Sequence, residues 1–110
     1  MDRFRVGSVP EHFMLPWHLA IESGAFQAQN LTVNWQDYPG GTGAMMSDLR
    51  SNKLDIAIAL TEGVVTSIIQ HDTGKIAQVY VESPLTWGVH VAADSPYRSV
   101  TELEGKTFAV

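Results

Sequence analysis

The spacing of apolar residues along this chain alternates between the period of a strand and the period of a helix. Strands are predicted at residues 3–9, 31–36, 54–60, 76–81 and 87–92, and another begins at residues 106–110. Helices are predicted at residues 16–23, from Thr42 or Gly43 to residue 51, and at residues 62–70. A further short helix is predicted after Ser99, because Ser99 and Glu102 have the spacing of a capping box. This order predicts an α/β domain with a mainly parallel sheet flanked by helices.

The apolar run at residues 54–60 is interrupted only by Asp55, which is typical of a strand covered on both faces. We therefore predict that it is the most buried strand and the central one. Replacing Ile56 or Ile58 by alanine is expected to cost roughly 2–4 kcal/mol, and Asp55→Leu is expected to be tolerated better. The next helix is predicted to face the core with four apolar residues, namely Val64, Val65, Ile68 and Ile69.

Two predicted helices start directly after predicted strands, so both helix N-termini open at one edge of the sheet. The first follows the glycine loop at residues 40–43, and the second follows Thr61, the predicted N-cap. Because adjacent parallel strands lie about 4.8 Å apart, we expect the loop and Thr61 to lie within about 10 Å of each other. Unpaired amides at helix N-termini attract anions and polar molecules, so this edge is predicted to bind a ligand.

Composition and charge narrow the range of functions. The chain has 110 residues and a net charge of −5, with no basic run to neutralise phosphates, so nucleic-acid binding is not expected. It has no cysteine, and its histidines lack the spacing of metal ligands, so no metal is expected. It contains no dinucleotide loop, phosphate loop or nucleophile motif, and no cofactor is expected. No apolar run is long enough to span a bilayer, so a membrane is expected to be involved only indirectly.

Five segments, in this order, resemble the N-terminal part of a known family. They are residues 4–8 (FRVGS), 20–33 (AIESGAFQAQNLTV), 40–43 (GGTG), 53–57 (KLDIA) and 100–110 (VTELEGKTFAV). The family is that of solute receptors with the type II periplasmic-binding-protein fold. Within it, the chain is most similar to the nitrate, sulfonate and taurine group and to the related thiamine-pyrimidine-precursor proteins.

The resemblance implies two lobes with a ligand cleft between them. Residues 1–93 would form an incomplete first lobe that binds ligand, and residues 94–110 the hinge and the start of the second lobe. The chain is then expected to be a fragment of a two-lobed protein. On its own it is expected to bind ligand weakly or not at all, because the family's site takes donors from both lobes.

Segments that follow the strands face the cleft in this fold, and they contain seven candidates for ligand contact; an eighth, Trp87, lies near the expected hinge. The glycine loop would aim backbone amides at the ligand, and Glu62 would accept hydrogen bonds from an amine or amidine and repel a sulfonate. Structural roles stay open for some of these candidates. Thr61 and Glu62 also suit helix capping, and tryptophans such as Trp87 most often belong to a core. The eight candidates are Ser8, Glu11, His12, Gly41, Thr42, Thr61, Glu62 and Trp87.

The resemblance implies binding without chemistry, as the solute-binding component of an ABC-type importer. The expected ligand is a small polar or anionic nitrogen or sulfur compound, and an ABC permease is the expected partner. Such a protein is periplasmic or extracytoplasmic once a signal peptide is removed; none is visible here, so a cytoplasmic location stays open. Two alternatives also stay open: a cytosolic ligand sensor, and a cytoplasmic enzyme in thiamine-pyrimidine or menaquinone biosynthesis with Glu11 and His12 as acid–base groups.

Overall fold

Strands and helices alternate through the first part of the chain in the computed structural model, which describes residues 1–109. The strands are β1 (Asp2–Ser8), β2 (Leu31–Asp37) and β3 (Ile56–Ile58). The helices are α1 (Leu15–Glu22), α2 (Ala25–Ala28), α3 (Gly41–Arg50) and α4 (Thr61–His71), with short 3₁₀ segments at His12–Met14 and Val100–Leu103. These bounds confirm the predicted helices and the first two predicted strands, with small shifts at their ends.

The three strands form one parallel sheet in the order β2–β1–β3. Phe4 lies opposite Val33 across the β1–β2 pair, and Val6 lies between Trp35 of β2 and Ile56 of β3. Helix α2 packs beside β2, whereas α3 packs beside β1 and β3. The predicted α/β class with a parallel sheet is confirmed, and its central strand is β1.

The predicted central position of residues 54–60 is wrong. Only Ile56–Ile58 is extended in the sheet, it pairs with β1 alone, and Ile56 is 40% exposed. The apolar run is divided among three roles: Leu54 enters the core before the strand, the middle forms an edge strand, and Leu60 precedes α4. An apolar count along the sequence cannot separate these roles, because Leu54 is buried whereas Ile56 and Leu60 are exposed.

Two further predicted strands are also wrong. Residues 76–81 and 87–92 have no regular secondary structure and join no sheet in the described part of the chain. Their apolar side chains are largely exposed, Val79 and Val89 each to 60%. An alternating apolar pattern forms a strand only where a partner satisfies the backbone, and no described residue pairs with them. The strand predicted at residues 106–110 is absent from residues 106–109, and Val110 lies outside the described residues.

The chain divides into two compact units, Met1–Tyr80 and Val81–Val110. The first contains the sheet and the α-helices. In the second, the predicted capping box is confirmed, because the Glu102 carboxylate accepts hydrogen bonds from the backbone N–H groups of Arg98 at 2.6 Å and Ser99 at 2.7 Å. These two bonds lower the pKa of Glu102. The lobe boundary predicted at residue 93 stays a prediction.

The core of the first unit lies between α3 and the strands β1 and β3. Its buried cluster consists of Tyr38, Met45, Met46 and Leu54. The Tyr38 ring packs over the backbone of Gly7, where a β-carbon would collide with it. The Tyr38 hydroxyl donates to the Asp48 carboxylate at 2.8 Å. Burial, followed by this hydrogen bond, raises the pKa of Tyr38 to about 12.

Helix α4 meets α3 through small residues. Gly63 lies against Thr42, and Ser67, one turn further along α4, is buried. Of the four apolar residues predicted to face the core, Val65 and Ile69 are exposed, Ile69 to 79%. The predicted stripe is therefore wrong in part, because small side chains let the two helices approach on a different face of α4.

Asp55, which interrupts the apolar pattern, joins β1 to the segment before β3. Its carboxylate accepts hydrogen bonds from the Arg5 guanidinium at 2.6 and 2.9 Å and from the Arg5 backbone N–H at 2.8 Å. The Asp55 backbone N–H in turn donates to the Arg5 carbonyl at 2.9 Å. The side-chain hydrogen bonds from Arg5, followed by the backbone one, lower the pKa of Asp55 to about 2. These contacts argue against the expectation that Asp55→Leu is tolerated better than Ile56→Ala.

Candidate functional site

The carboxyl ends of the three parallel strands lie at one edge of the sheet. Ser8, the last residue of β1, pairs with Asp37 of β2 and with Ile58 of β3. Helix α3 begins at Gly41, shortly after β2, and α4 begins at Thr61, shortly after β3. Both helix N-termini therefore open at this edge, which is where open α/β sheets bind their ligands.

The first turn of α3 and the start of α4 are in direct contact. The Thr42 hydroxyl oxygen accepts a hydrogen bond from the Leu60 backbone N–H at 3.2 Å. A β-carbon on Gly63 would lie 2.6 Å from the Thr42 methyl carbon. The predicted proximity of residues 40–43 and Thr61 is confirmed, although its premise of neighbouring strands is wrong, because β1 lies between β2 and β3.

In the described part of the chain, neither of the two helix N-termini donates a backbone N–H to the side chain of its own N-cap residue. Leu60 occupies the N-cap position of α4, and Thr61 is its first helical residue, so the predicted capping role of Thr61 is wrong. Gly40 occupies the N-cap position of α3. Backbone amides in the first turn of a helix have no intrahelical acceptor and carry partial positive charge. Two such turns in contact provide several N–H donors to a ligand at this edge.

Gly41 is the point at which the chain turns from β2 into α3. Its φ of +80° lies in the left-handed region, where glycine is favoured, and its N–H donates to the Tyr38 carbonyl at 3.0 Å. A β-carbon on Gly41 would meet no atom within 4 Å. The position therefore needs glycine for the backbone conformation, and the space beside it is open.

A groove of about 380 Å³ runs between α3 and α4 and includes residues of their first turns. Thr42 and Glu62, both predicted as site residues, line this groove. Glu62 is exposed and lies in the first turn of α4, so it places a negative charge beside the amide donors. A ligand there is offered hydrogen-bond donors from the backbone and a charged acceptor from Glu62.

The far part of the groove contains polar residues that the sequence analysis missed. Arg50 and His71 belong to the last turns of α3 and α4, and Arg50 donates to the buried Ser67 hydroxyl at 3.4 Å. Thr66 and Gln70, at four-residue intervals after Glu62, also line the groove. This regular polar spacing along α4 was the signal that could have revealed the groove.

Ser8 is among the most buried residues of the protein. Its hydroxyl donates to the Ile58 carbonyl at 2.8 Å, so it joins the ends of β1 and β3. This bond gives Ser8 a structural role at the carboxyl ends of the strands, the edge of the sheet predicted to bind a ligand. Its proposed contact with ligand stays a prediction.

The loop after β1 carries Glu11 and His12, which are both exposed. The His12 ring packs against the Phe13 ring at a centroid distance of 4.2 Å. The Phe13 carbonyl accepts a hydrogen bond from the Tyr80 hydroxyl at 2.6 Å. Neither Glu11 nor His12 lines the groove between α3 and α4, and their roles as ligand contacts stay predictions.

Trp87 is the one predicted site residue that belongs to the second unit, Val81–Val110. It is 79% exposed, which argues against the core role that tryptophans usually have. Its contact with ligand stays a prediction.

The described residues contain no cluster of three or more metal-binding side chains. They also include no helix with the length and hydrophobicity that a membrane span requires.

One solved structure allows the fold to be identified. The Candida albicans CA3427 gene product, which defines a family of proteins with the generic periplasmic binding protein structural fold, is similar to this chain with a TM-score of 0.61 and 34% sequence identity. The similarity covers 64% of this chain and 23% of that protein's chain. No protein-family model and no curated protein sequence matches the chain.

The class defined by this comparison is the periplasmic binding protein fold. The chain is an α/β protein with a parallel sheet flanked by helices, and it shares that fold with the Candida albicans protein over the matched part. The chain spans about a quarter of the length of the solved structure.

Proposed function

We propose that this chain supplies ligand-binding residues of a solute-binding protein that serves an ABC-type importer. The observation that carries the proposal is the pair of contacting helix N-termini, both without side-chain caps, at the carboxyl edge of a parallel sheet. The likeness to a protein of the periplasmic binding protein fold supports it. Open α/β sheets bind small molecules at this edge, and helix N-termini bind anionic or polar groups.

The proposed ligand is a small polar nitrogen or sulfur compound with both an acceptor group and a nitrogen donor. The acceptor group receives hydrogen bonds from the amides of α3 and α4, and the nitrogen donates to the Glu62 carboxylate. Glu62 repels a sulfonate that lies beside it, so taurine fits only with its ammonium group on Glu62 and its sulfonate on the amides. An aminopyrimidine precursor of thiamine also supplies a donor to Glu62, whereas a simple anion such as nitrate does not and is disfavoured. Closure of a second lobe over the ligand would then be recognised by the permease, outside the cytoplasm.

A second candidate function is that of a cytoplasmic protein on the same fold, either an enzyme of thiamine-pyrimidine or menaquinone biosynthesis or a ligand sensor. The observation in its favour is the source of the matched structure: it comes from a yeast, so the fold is not confined to bacterial importers. Under this candidate, the exposed Glu11 and His12 would supply acid–base groups. A signal peptide encoded upstream, or a neighbouring permease gene, would favour the importer.

Calorimetry on the protein expressed from its complete gene tests the binding function. The probes are taurine, nitrate and the aminopyrimidine precursor of thiamine, and mass spectrometry identifies any small molecule that co-purifies. We expect binding of taurine or the aminopyrimidine, weakened roughly tenfold by Glu62→Gln, because a charge-assisted hydrogen bond is lost.

The matched control is Glu22→Gln at the C-terminal end of α1, which should leave binding unchanged. Absence of binding to all three probes, together with no co-purified small molecule, would reject the proposal. Equal effects of the Glu22 and Glu62 substitutions would reject the role of Glu62.

A further inference from the structure

Thr42 is the residue through which the first turns of α3 and α4 touch. We propose that Thr42 is a positioning residue, which holds the two helix N-termini at the separation at which one small ligand receives hydrogen bonds from both. This inference rests on the function proposed above, since it concerns the same edge of the sheet. It differs from the sequence-based prediction, in which Thr42 contacts the ligand directly.

The Thr42 hydroxyl fixes the start of α4 from the neighbouring helix. It accepts the Leu60 backbone N–H at 3.2 Å, and Leu60 occupies the N-cap position of α4. A leucine side chain has no oxygen with which to cap a helix. The Leu60 carbonyl accepts the Val64 N–H at 3.1 Å, so Leu60 is connected both to α4 and to Thr42.

The Thr42 methyl group packs against α4 at Gly63. A β-carbon on Gly63 would lie 2.6 Å from this methyl carbon and 3.2 Å from Thr42 Cβ, so the contact leaves room for a glycine only. Next to Thr42 in the same turn, a β-carbon on Gly43 would meet nothing within 4 Å. One side of the turn is therefore closed by the contact with α4, and the other side is open to a ligand.

Two substitutions separate the two contacts of Thr42. Thr42→Val retains the branched shape that packs on Gly63 and removes the acceptor for the Leu60 N–H. Thr42→Ser retains the acceptor and removes the methyl group. Thr32→Val is the matched control, because Thr32 lies near the amino end of β2, opposite Arg3, away from the helix N-termini.

Amide hydrogen exchange measured by NMR without ligand is the first test. We expect the Leu60 amide to exchange roughly five- to tenfold faster in Thr42→Val, and at the parent rate in Thr42→Ser and Thr32→Val, because only the first loses the acceptor. An unchanged Leu60 exchange rate in Thr42→Val would overturn the proposal. If Thr42→Val does not fold, Thr42→Ala, which also lacks the acceptor but favours a helix, gives the same test.

Calorimetry with taurine, on the protein expressed from its complete gene, is the second test. We expect roughly tenfold weaker binding in Thr42→Val and near-parent binding in Thr42→Ser, because the acceptor orders the α4 start. Weaker binding in Thr42→Val with an unchanged Leu60 exchange rate would overturn positioning and assign a direct contact instead. If the parent protein binds none of the three probes, the proposed function fails, and the exchange rate alone decides whether Thr42 joins the helices.

Discussion

Replacing Gly63 by alanine should destabilise the protein relative to the same change at Gly43. A β-carbon at Gly63 would lie 2.6 Å from Thr42 Cγ2, well inside the roughly 3.5–4.0 Å at which carbon atoms attract. At Gly43 the added β-carbon meets nothing within 4 Å. Neither glycine has a positive φ, so alanine suits the backbone at both positions.

The comparison separates the clash from helix propensity. Gly43 and Gly63 are each the third residue of their helix, so the gain from alanine, up to about 1 kcal/mol, is common to both. Overpacking a close contact costs roughly 1–3 kcal/mol, so Gly63→Ala should be less stable than Gly43→Ala by about that amount. Rotation of Thr42 would not relieve the clash freely, because its hydroxyl would then lose the Leu60 N–H.

Urea unfolding followed by circular dichroism measures the difference. The double variant Thr42→Ser/Gly63→Ala should recover most of the loss, because serine lacks the methyl carbon and retains the hydroxyl. Equal unfolding free energies for Gly63→Ala and Gly43→Ala, or no recovery in the double variant, would refute the packing of Gly63 on Thr42.

Burial and pH dependence at other positions give the remaining predictions. Because burial raises the pKa of Tyr38 from 10 to about 12, the free energy of unfolding should fall by roughly 2–3 kcal/mol as pH rises from 10 to 12. Tyr38→Phe should remove this part of the fall, measured by urea unfolding at alkaline pH. The prediction is contradicted if the free energy of unfolding falls with pH as steeply in the variant as in the parent. Hydrogen bonds from Arg5 lower the pKa of Asp55 from 3.8 to about 2. Their contribution to stability is therefore complete above pH 3.8 and is lost as the pH falls toward 2. Between those pH values, the thermal unfolding midpoint should therefore fall less in Asp55→Asn than in the parent protein. An equal fall of the midpoint with pH in both proteins would count against the ion pair. Leu54→Ala should cost roughly 2–5 kcal/mol in urea unfolding and Ile56→Ala clearly less, whereas equal costs would contradict the edge position of β3.

The parts of the fold that the sequence predicted correctly are those set by local pattern. The apolar spacing located α1, α3 and α4, and the glycine loop at residues 40–43 marked the start of α3. The i to i+3 pair of Ser99 and Glu102 identified a capping box, because both partners lie within one turn. Each of these features depends on residues close together in the sequence, so no knowledge of the sheet was needed.

The features that the sequence missed depend on residues far apart. Asp55 is paired with Arg5, fifty residues earlier, so a charge that interrupts an apolar run proved to be a connection between strands. The predicted N-cap of α4, Thr61, was wrong because Thr42 of α3 accepts the N–H of Leu60, the actual N-cap residue, and no side chain of α4 caps the helix. Val65 and Ile69 are exposed because the packing of α3 against α4 decides which face of α4 is buried, and the sequence of α4 alone does not contain that information.

The order of the strands explains why the candidate site forms at all. The chain passes from β1 to β2 on one side and then crosses β1 to reach β3 on the other, so the direction of winding reverses beside β1. Such a reversal is the point at which open α/β sheets have a crevice for ligands. Helix α3 makes this crossing and packs against α4, so the start of the helix that follows β2 reaches the start of the helix that follows β3. Strands β2 and β3 are not neighbours in the sheet, because β1 lies between them. The starts of α3 and α4 therefore meet through Thr42 because α3 crosses β1, and not because the strands before them are paired.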